Sequence, residues 1–381
     1  MKLFLSGSLC LLISTLSAAA AACLTKPAIQ PRPKPGREPA SWQKSDYNLP
    51  LFITFPSLKR AVGYARLGLL PTPLEEQPAL ACSLQIEKLL IKRDDQAAPL
   101  FGGAKVRKLE FLLGDACTKN ADHIVTWGSP DTTHTSATAV YCSHLKKPCT
   151  CMYVFNPQAP VNPNHASLAK AHGAIEETYR GPGERLQALH IKNKAALATT
   201  GKALYLVPEG ASDVLGALGF VNAVGEVASQ LAERGEPFPD VVYLLTGTGG
   251  SAAGFLAGLD VFGVKTQPIL VALTPDAYPG QQQGRITALY AMVMEYVSLL
   301  EPSITKRNEP VNAPAYDHGF NQSSNASLQE ITSTTQQLLL NQASYHLDAS
   351  FGARLWGAFL LDATHGKLAH KHVMIWNTSP L

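Results

Sequence analysis

Two short segments carry residue types and spacings that could do chemistry. Thr246-Gly247-Thr248-Gly249-Gly250-Ser251 follows an apolar, strand-like run and opens a helical one. Glycines at this density let successive backbone N–H groups converge on one anion, and a helix N-terminus adds the positive end of its dipole. The segment has the physics of a phosphate cradle. A nucleoside-triphosphate loop would end in Gly-Lys-Ser/Thr, but Phe255 follows Gly254, which excludes it. A dinucleotide site reads G-x-G-x-x-G/A, and Gly247, Gly249 and Ala252 fit. It also needs an acid at the end of the next strand, and none stands near Leu273-Thr274. A compact phosphorylated cofactor such as pyridoxal 5'-phosphate (PLP) is the third possible owner. A glycine-rich turn that binds nothing is the plain alternative.

The second segment is Lys92-Arg93-Asp94-Asp95 followed by Phe101-Gly102-Gly103-Ala104-Lys105-Val106-Arg107-Lys108. A strand ends in two acids, and a Gly-Gly turn then presents a helix whose first turn carries Lys105. A lysine partly desolvated near a helix N-terminus has its pKa lowered, as a lysine that attacks a carbonyl requires. The plain alternative is a solvated lysine. Helical spacing puts Val106, Leu109 and Leu113 inward and Arg107 and Lys108 toward water. Asp94 and Asp95, as neighbours on a strand, would point to opposite faces, which argues against a carboxylate pair. His370 and His372 would share a face, but a metal site needs further ligands and none stands near them. No Gly-x-Ser-x-Gly elbow of a serine hydrolase occurs.

These segments sit in a chain of 381 residues with 46% apolar and 16% charged residues and a net charge of +3. The length suggests two domains. Lys and Arg are scattered, with no basic stripe, which excludes a nucleic-acid partner by composition. Short apolar runs alternate with helical patterns. Strands are expected at Leu89–Ile91, His123–Thr126, Cys151–Phe155, Leu204–Val207, Val241–Leu245, Ile269–Leu273 and His372–Trp376. Helices are expected at Val106–Ala116, Ser136–His144, from Ala166, at Val214–Glu233 and from Gly254. Such alternation implies parallel sheets with helices on both faces. Glu301–Ser327 reads as a long polar loop.

The first residues read as a secretory signal over 1–22: Lys2, a mostly apolar Leu3–Leu16, then small residues from Ser17 to Ala22. The apolar stretch is shorter than the roughly 20 residues that span a bilayer. Cleavage after Ala20 or Ala22 competes with lipoprotein processing before Cys23, where Ala20 stands in place of the larger aliphatic residue preferred. A proline-rich linker follows over 23–45, and the folded part is expected near Asp46. The protein is then expected to be exported, and, if bacterial, periplasmic or held at the membrane by a lipidated Cys23. Seven cysteines are present. Cys149-Thr150-Cys151 lacks the spacer of a redox or zinc pair and reads as buried thiols.

Several motifs occur in order: Pro71-Thr72-Pro73-Leu74-Glu75, Lys92–Asp95, Gly102–Phe111, Thr126-Trp127-Gly128, Val207–Glu226 and Thr246–Gly254. Together they resemble the D-cysteine desulfhydrase and 1-aminocyclopropane-1-carboxylate deaminase family, and the resemblance runs from about Leu67 to the C-terminus. It implies an α/β, two-domain, fold type II PLP-dependent enzyme (tryptophan synthase β-like). The large PLP domain would comprise 46–107 and 206–381, and the small domain 108–205. It also implies a homodimer, and loss of ammonia, with sulfide from a thiol substrate, from a small amino acid. Lys105 matches the family's cofactor-binding lysine. Gly247, Thr248, Gly249, Gly250 and Ser251 match its phosphate loop.

The chain departs from the family at polar positions. Ala104 replaces an Asn beside the lysine. The family's Gln-Ser-Asn-His is Asp131-Thr132-Thr133-His134. Thr132 keeps a hydroxyl near the substrate, and Thr133 replaces an amide that would hold the cofactor's ring oxygen. Phe351 falls on an active-site tyrosine, and Gly352 falls where a side chain can face the pyridine nitrogen. Phe320-Asn321 aligns with a second tyrosine. Phenylalanine keeps a ring to pack but cannot move a proton, and losing such a group slows a reaction on the order of a hundredfold to ten-thousandfold. Two readings follow: an enzyme of altered chemistry that uses Thr132, Thr133, Asp131 or His134, or an exported relative kept for binding.

Overall fold

Runs that stay apolar at every position build strands buried on both faces, as parallel sheets require. A computed structural model of the protein describes residues 48–130, 132–154, 163–273, 280–305, 315–316 and 352–378. Its strands are β1 Leu74–Glu76, β2 Lys88–Arg93, β3 Ile124–Gly128, β4 Cys149–Val154, β5 Ile175–Tyr179, β6 Tyr205–Val207, β7 Val241–Thr246, β8 Gln267–Ala272, β9 Ala315–Tyr316 and β10 His372–Asn377. The short helices α1 Pro50–Thr54, α2 Pro56–Ala61 and α3 Pro78–Ser83 precede α4 Ala104–Thr118, α5 Thr133–His144, α6 Pro163–Ala171 and α7 Pro182–Thr200. The rest are α8 Val214–Glu233, α9 Gly250–Val261, α10 Gln281–Leu300 and α11 Gly352–Thr364.

The strands form two sheets, of order β1-β2-β10-β7-β8-β9 and β5-β4-β3-β6. Among the described strands, only β1 runs antiparallel to its neighbour. In the larger sheet, Leu90, Val242, Leu244 and Met374 face a core with α8 and α9. Leu89, Ile91, Tyr243 and Ile375, one residue out of phase, face a core with α11. Period-2 alternation thus feeds two apolar layers from the same strands.

Helix α4 serves both sheets. Phe111 packs into the α8 core, while Val106, Leu109 and Leu112 pack with β3 and β4 residues. This explains a difference from the sequence expectation. Arg107 and Lys108 do not face water; they are buried at 1% and 2% exposure. A helix wedged between two sheets has no wet side, so helical periodicity cannot sort its faces. Helix α5 begins at Thr133 rather than Ser136, because Thr132 caps it. Strand β5 and helices α7, α10 and α11 arise where no pattern pointed to them. In α7 only Leu189 is buried, so its apolar stripe is faint. Cys117, Cys142, Cys149 and Cys151 are free and buried, while Cys82 is disulfide-bonded.

Candidate active site

The C-terminal ends of β2 and β7, with β10 between them, carry the two segments singled out above. After β2 the chain makes a short 3-10 turn, Asp94–Gln96, rather than extending the strand through both acids. Gly102 allows the next turn, since a Cβ there would collide with the Asp95 carbonyl. Gly103 is the residue before α4, at φ 84°, and its N–H donates to Asp94 O at 2.8 Å. Ala104 N–H donates to Thr378 O beyond β10 at 3.0 Å. The start of α4, and with it Lys105, is therefore pinned to two strands.

Beneath this turn lies a buried polar network. Arg107 donates to both Asp94 oxygens at 2.7 Å and to both Glu226 oxygens at 2.9 and 3.0 Å. Lys92 Nζ reaches Glu226 Oε1 at 2.6 Å, and Trp376 Nε1 donates to Asp94 Oδ2 at 2.8 Å. Burial alone would raise the Glu226 carboxyl, but Arg107 and Lys92 overcome it and hold it at about 2. Burial, only partly offset by Glu226, lowers Lys92 to about 8. The network joins β2, α4, α8 and β10. Asp95 instead takes both a 3.0 Å and a 2.7 Å bond from Arg93. The two acids thus point to separate partners and make no carboxylate pair.

Lys105 is half-buried. Among the described residues its Nζ has no hydrogen-bond or ion-pair partner, and burial lowers its pKa to about 8. Lys108, one helical turn on, donates to Gly210 O at 2.5 Å. Burial and then the charge of Lys105 hold Lys108 well below the ordinary lysine value, with Asp213 opposing.

The glycine segment completes the site. Gly249 takes the left-handed conformation at φ 93° and precedes α9, which starts at Gly250. The first N–H groups of a helix lack internal acceptors and point outward. Opposite them, the segment Pro208–Asp213 after β6 closes in. Ser212 Oγ lies 2.6 Å from Thr248 Oγ1 and accepts from Gly250 N at 3.2 Å. A Cβ on Gly210 would collide with Thr248 Oγ1. Lys108 thus links the lysine helix to the segment that packs on the glycine loop. Lys108, Gly210 and Ser212 escaped the sequence reading; the run Glu209-Gly210-Ala211-Ser212 was the available signal.

Thr132 and Thr133 lie at the start of α5. Thr132 Oγ1 accepts from Thr135 N at 3.5 Å as the helix cap, and Thr133 is buried. His134 is buried and bonds Thr126 on β3 at 2.7 Å. Gly352 opens α11 and is buried. Asp131, Phe320, Asn321 and Phe351 lie outside the described residues.

An amine depressed to about 8 and without a partner among the described residues, on a helix tied through Lys108 and Gly210 to a helix N-terminus freed by glycines, matches an aldehyde-bearing phosphorylated cofactor. A dinucleotide does not fit, because β8 ends in Leu270-Val271-Ala272 and Leu273 follows, with no carboxylate among them. PLP fits these residues. Fold and site together define the fold type II class of PLP enzymes.

The comparisons with known proteins agree. Residues 65–375 match the family model described as pyridoxal-phosphate dependent enzyme, and the chain belongs to that family. D-cysteine desulfhydrase of Klebsiella pneumoniae (strain 342) is 30% identical over 270 residues, covering 68% of this chain and 79% of that protein. A putative 1-aminocyclopropane-1-carboxylate deaminase of Pyrococcus horikoshii is 30% identical over 214 residues, covering 55% and 63%. Among solved structures, an ACC deaminase homologue superposes with a TM-score of 0.70 at 22% identity, covering 87% of this chain and 95% of that one. The processed form of threonine deaminase isoform 2 from Solanum lycopersicum gives 0.56 at 17% identity, covering 93% and 91%. At such identities these two structures speak for the fold alone.

Proposed function

We propose that the protein is a PLP-dependent lyase that removes ammonia from a small amino acid, and sulfide where the substrate carries a thiol. The observation that carries this reading is Lys105: an amine with no partner among the described residues, lowered to about 8 by burial, on a helix start fixed by Asp94 and Thr378 and tied through Lys108 to the glycine-loop wall. PLP, when bound, supplies an electron sink for the bond broken at the amino-acid carbon. Lys105 holds the cofactor and offers a nitrogen for moving a proton at that carbon. Gly247, Thr248, Gly249, Gly250 and Ser251 receive the phosphate through backbone N–H groups. Ser212 yields the Gly250 N–H it now accepts. Thr132 and Thr133, at the start of α5, would bind substrate and ring oxygen through their hydroxyls.

The D-cysteine desulfhydrase relative supports D-cysteine as the first substrate to try. Sulfide and ammonia release from D-cysteine above the Lys105→Ala background would support turnover. A protein that takes up PLP but releases nothing from small amino acids would favour a binding role, which the absence of polar side chains at Ala104 and Gly352 would then explain. Export over 1–22 and lipidation of Cys23 are proposed from the sequence pattern, and palmitate labelling lost in Cys23→Ser tests them. A homodimer is proposed from the family resemblance; Met292 and Leu299, 55% and 79% exposed on α10, offer apolar surface for it. Sedimentation at micromolar concentration checks that.

A further inference from the structure

Helix α10 turns apolar side chains outward. A groove of about 420 Å³ lies between it, the C-terminal end of α4 and the start of α8. Leu215, Met292, Tyr296 and Leu299 line it, with Asp115, Lys119 and Glu295 among them. Met292 and Leu299 are 55% and 79% exposed, and apolar side chains grouped in this way in water mark a binding surface. Asp115 is already taken: it pairs with Lys119 at 2.7 Å and accepts from the Tyr205 hydroxyl at 2.8 Å. Glu295 is exposed and has no hydrogen-bond or ion-pair partner among the described residues. The groove therefore offers an aromatic ring, aliphatic side chains and one open negative charge. Aromatic-lined grooves take extended proline-rich segments, whose ordering costs little.

This chain has such a segment. Residues 24–47 hold Pro27, Pro31, Pro33, Pro35 and Pro39, with five basic residues against two acidic ones. They lie outside the described residues, but the point where they join the fold is fixed near the groove. Leu51 N donates to Asn222 Oδ1 at 3.1 Å, and Asn222 is about 10 Å along α8 from Leu215. Ser57 Oγ donates to Glu301 Oε2 at 2.9 Å, two residues past Leu299. Pro39 stands nine positions before Asn48, about 28 Å of extended chain, so the prolines reach the groove. We propose that Pro31–Pro39 of the same chain docks there, its prolines against Tyr296, Met292 and Leu299 and its basic residues facing Glu295. Helix α4 carries Lys105, and α10 braces the glycine loop, with Gln282 Nε2 donating to Gly247 O at 2.8 Å. The docked segment thus clasps two helices on which the cleft depends. A second copy would compete for Met292 and Leu299, but the tethered segment stands at an effective concentration of millimolar order.

The test is photo-crosslinking from Leu299→p-benzoylphenylalanine in the processed chain, with isotope-labelled and unlabelled protein mixed and the adducts mapped by mass spectrometry. The expected result is an adduct to residues 31–39 within one chain, with a yield that falls about threefold in Glu295→Lys, as loss of an exposed ion pair implies. Adducts to a second copy, adducts elsewhere or none, or a yield that Glu295→Lys leaves unmoved, overturn the proposal. A parallel measurement needs no crosslinker. Trypsin should cut after Arg37 about threefold faster in Glu295→Lys than in the wild type, and equal rates overturn the proposal. Neither readout involves the cofactor. A protein that never takes up PLP would sink the functional reading and leave the adducts to judge the docked segment by themselves.

Discussion

Arg107→Met tests the platform beneath the lysine. The guanidinium makes five hydrogen bonds, two to Asp94, two to Glu226 and one to Thr72 Oγ1. With it, Lys92, Arg107, Asp94 and Glu226 sum to zero charge; without it, two buried carboxylates share one lysine. Removing one partner of a buried ion network costs about 3–5 kcal/mol, a large share of the roughly 5–15 kcal/mol that folds a domain. Urea unfolding at pH 7 should show that loss as a lower midpoint with little change in slope. Acid adds a second check. In the wild type Glu226 sits at about 2 against an ordinary 4.5, so its contribution of about 3 kcal/mol is present above pH 4.5 and disappears as pH falls toward 2. In Arg107→Met the stranded carboxylate takes up a proton more readily, so the gap between variant and wild type should narrow from pH 7 to pH 4. A loss under about 1 kcal/mol at pH 7, or a gap that widens in acid, would refute the assignment of Arg107 as the network's centre.

Other outcomes follow from the same geometry. Glu110 is raised to about 7, chiefly by burial, so the folded state favours its protonated form. That contribution is complete below pH 4.5 and is lost as pH rises through 7, so stability should decline from pH 5 to 8 and Glu110→Gln should flatten the decline, by about 2–3 kcal/mol at most. Gly210→Ala places a Cβ against Thr248 at a residue with φ 67°; strain of this kind should weaken PLP binding about tenfold, read by equilibrium titration. Ser212→Ala removes the acceptor that competes for Gly250 N–H, and inorganic phosphate should then bind at least as tightly as to the wild type.

Much of the larger sheet could be read from composition, because β2, β7, β8 and β10 are apolar runs flanked by turn residues. The glycine loop and Lys105 were legible for the same reason: glycines mark turns that other residues resist. What could not be read was the inside of α4. Arg107 and Lys108 have the sequence look of a wet face, and only the approach of α8 and of the segment after β6 turns them into a buried network. The partner of Arg107, Glu226, lies 119 residues away, and no local pattern links the two. His134 was visible as a residue type, but its bond to Thr126 of β3, a residue that also meets Val207 through the pairing of β3 with β6, is a tertiary contact.

Lys105 is proposed to hold PLP, with the glycine loop receiving its phosphate. The absorption spectrum of the purified protein mixed with PLP, before and after gel filtration, tests it most directly. A visible cofactor band should stay with the wild-type protein and be absent from Lys105→Ala. A wild type that emerges colourless, or a Lys105→Ala variant that keeps the same band, would contradict it.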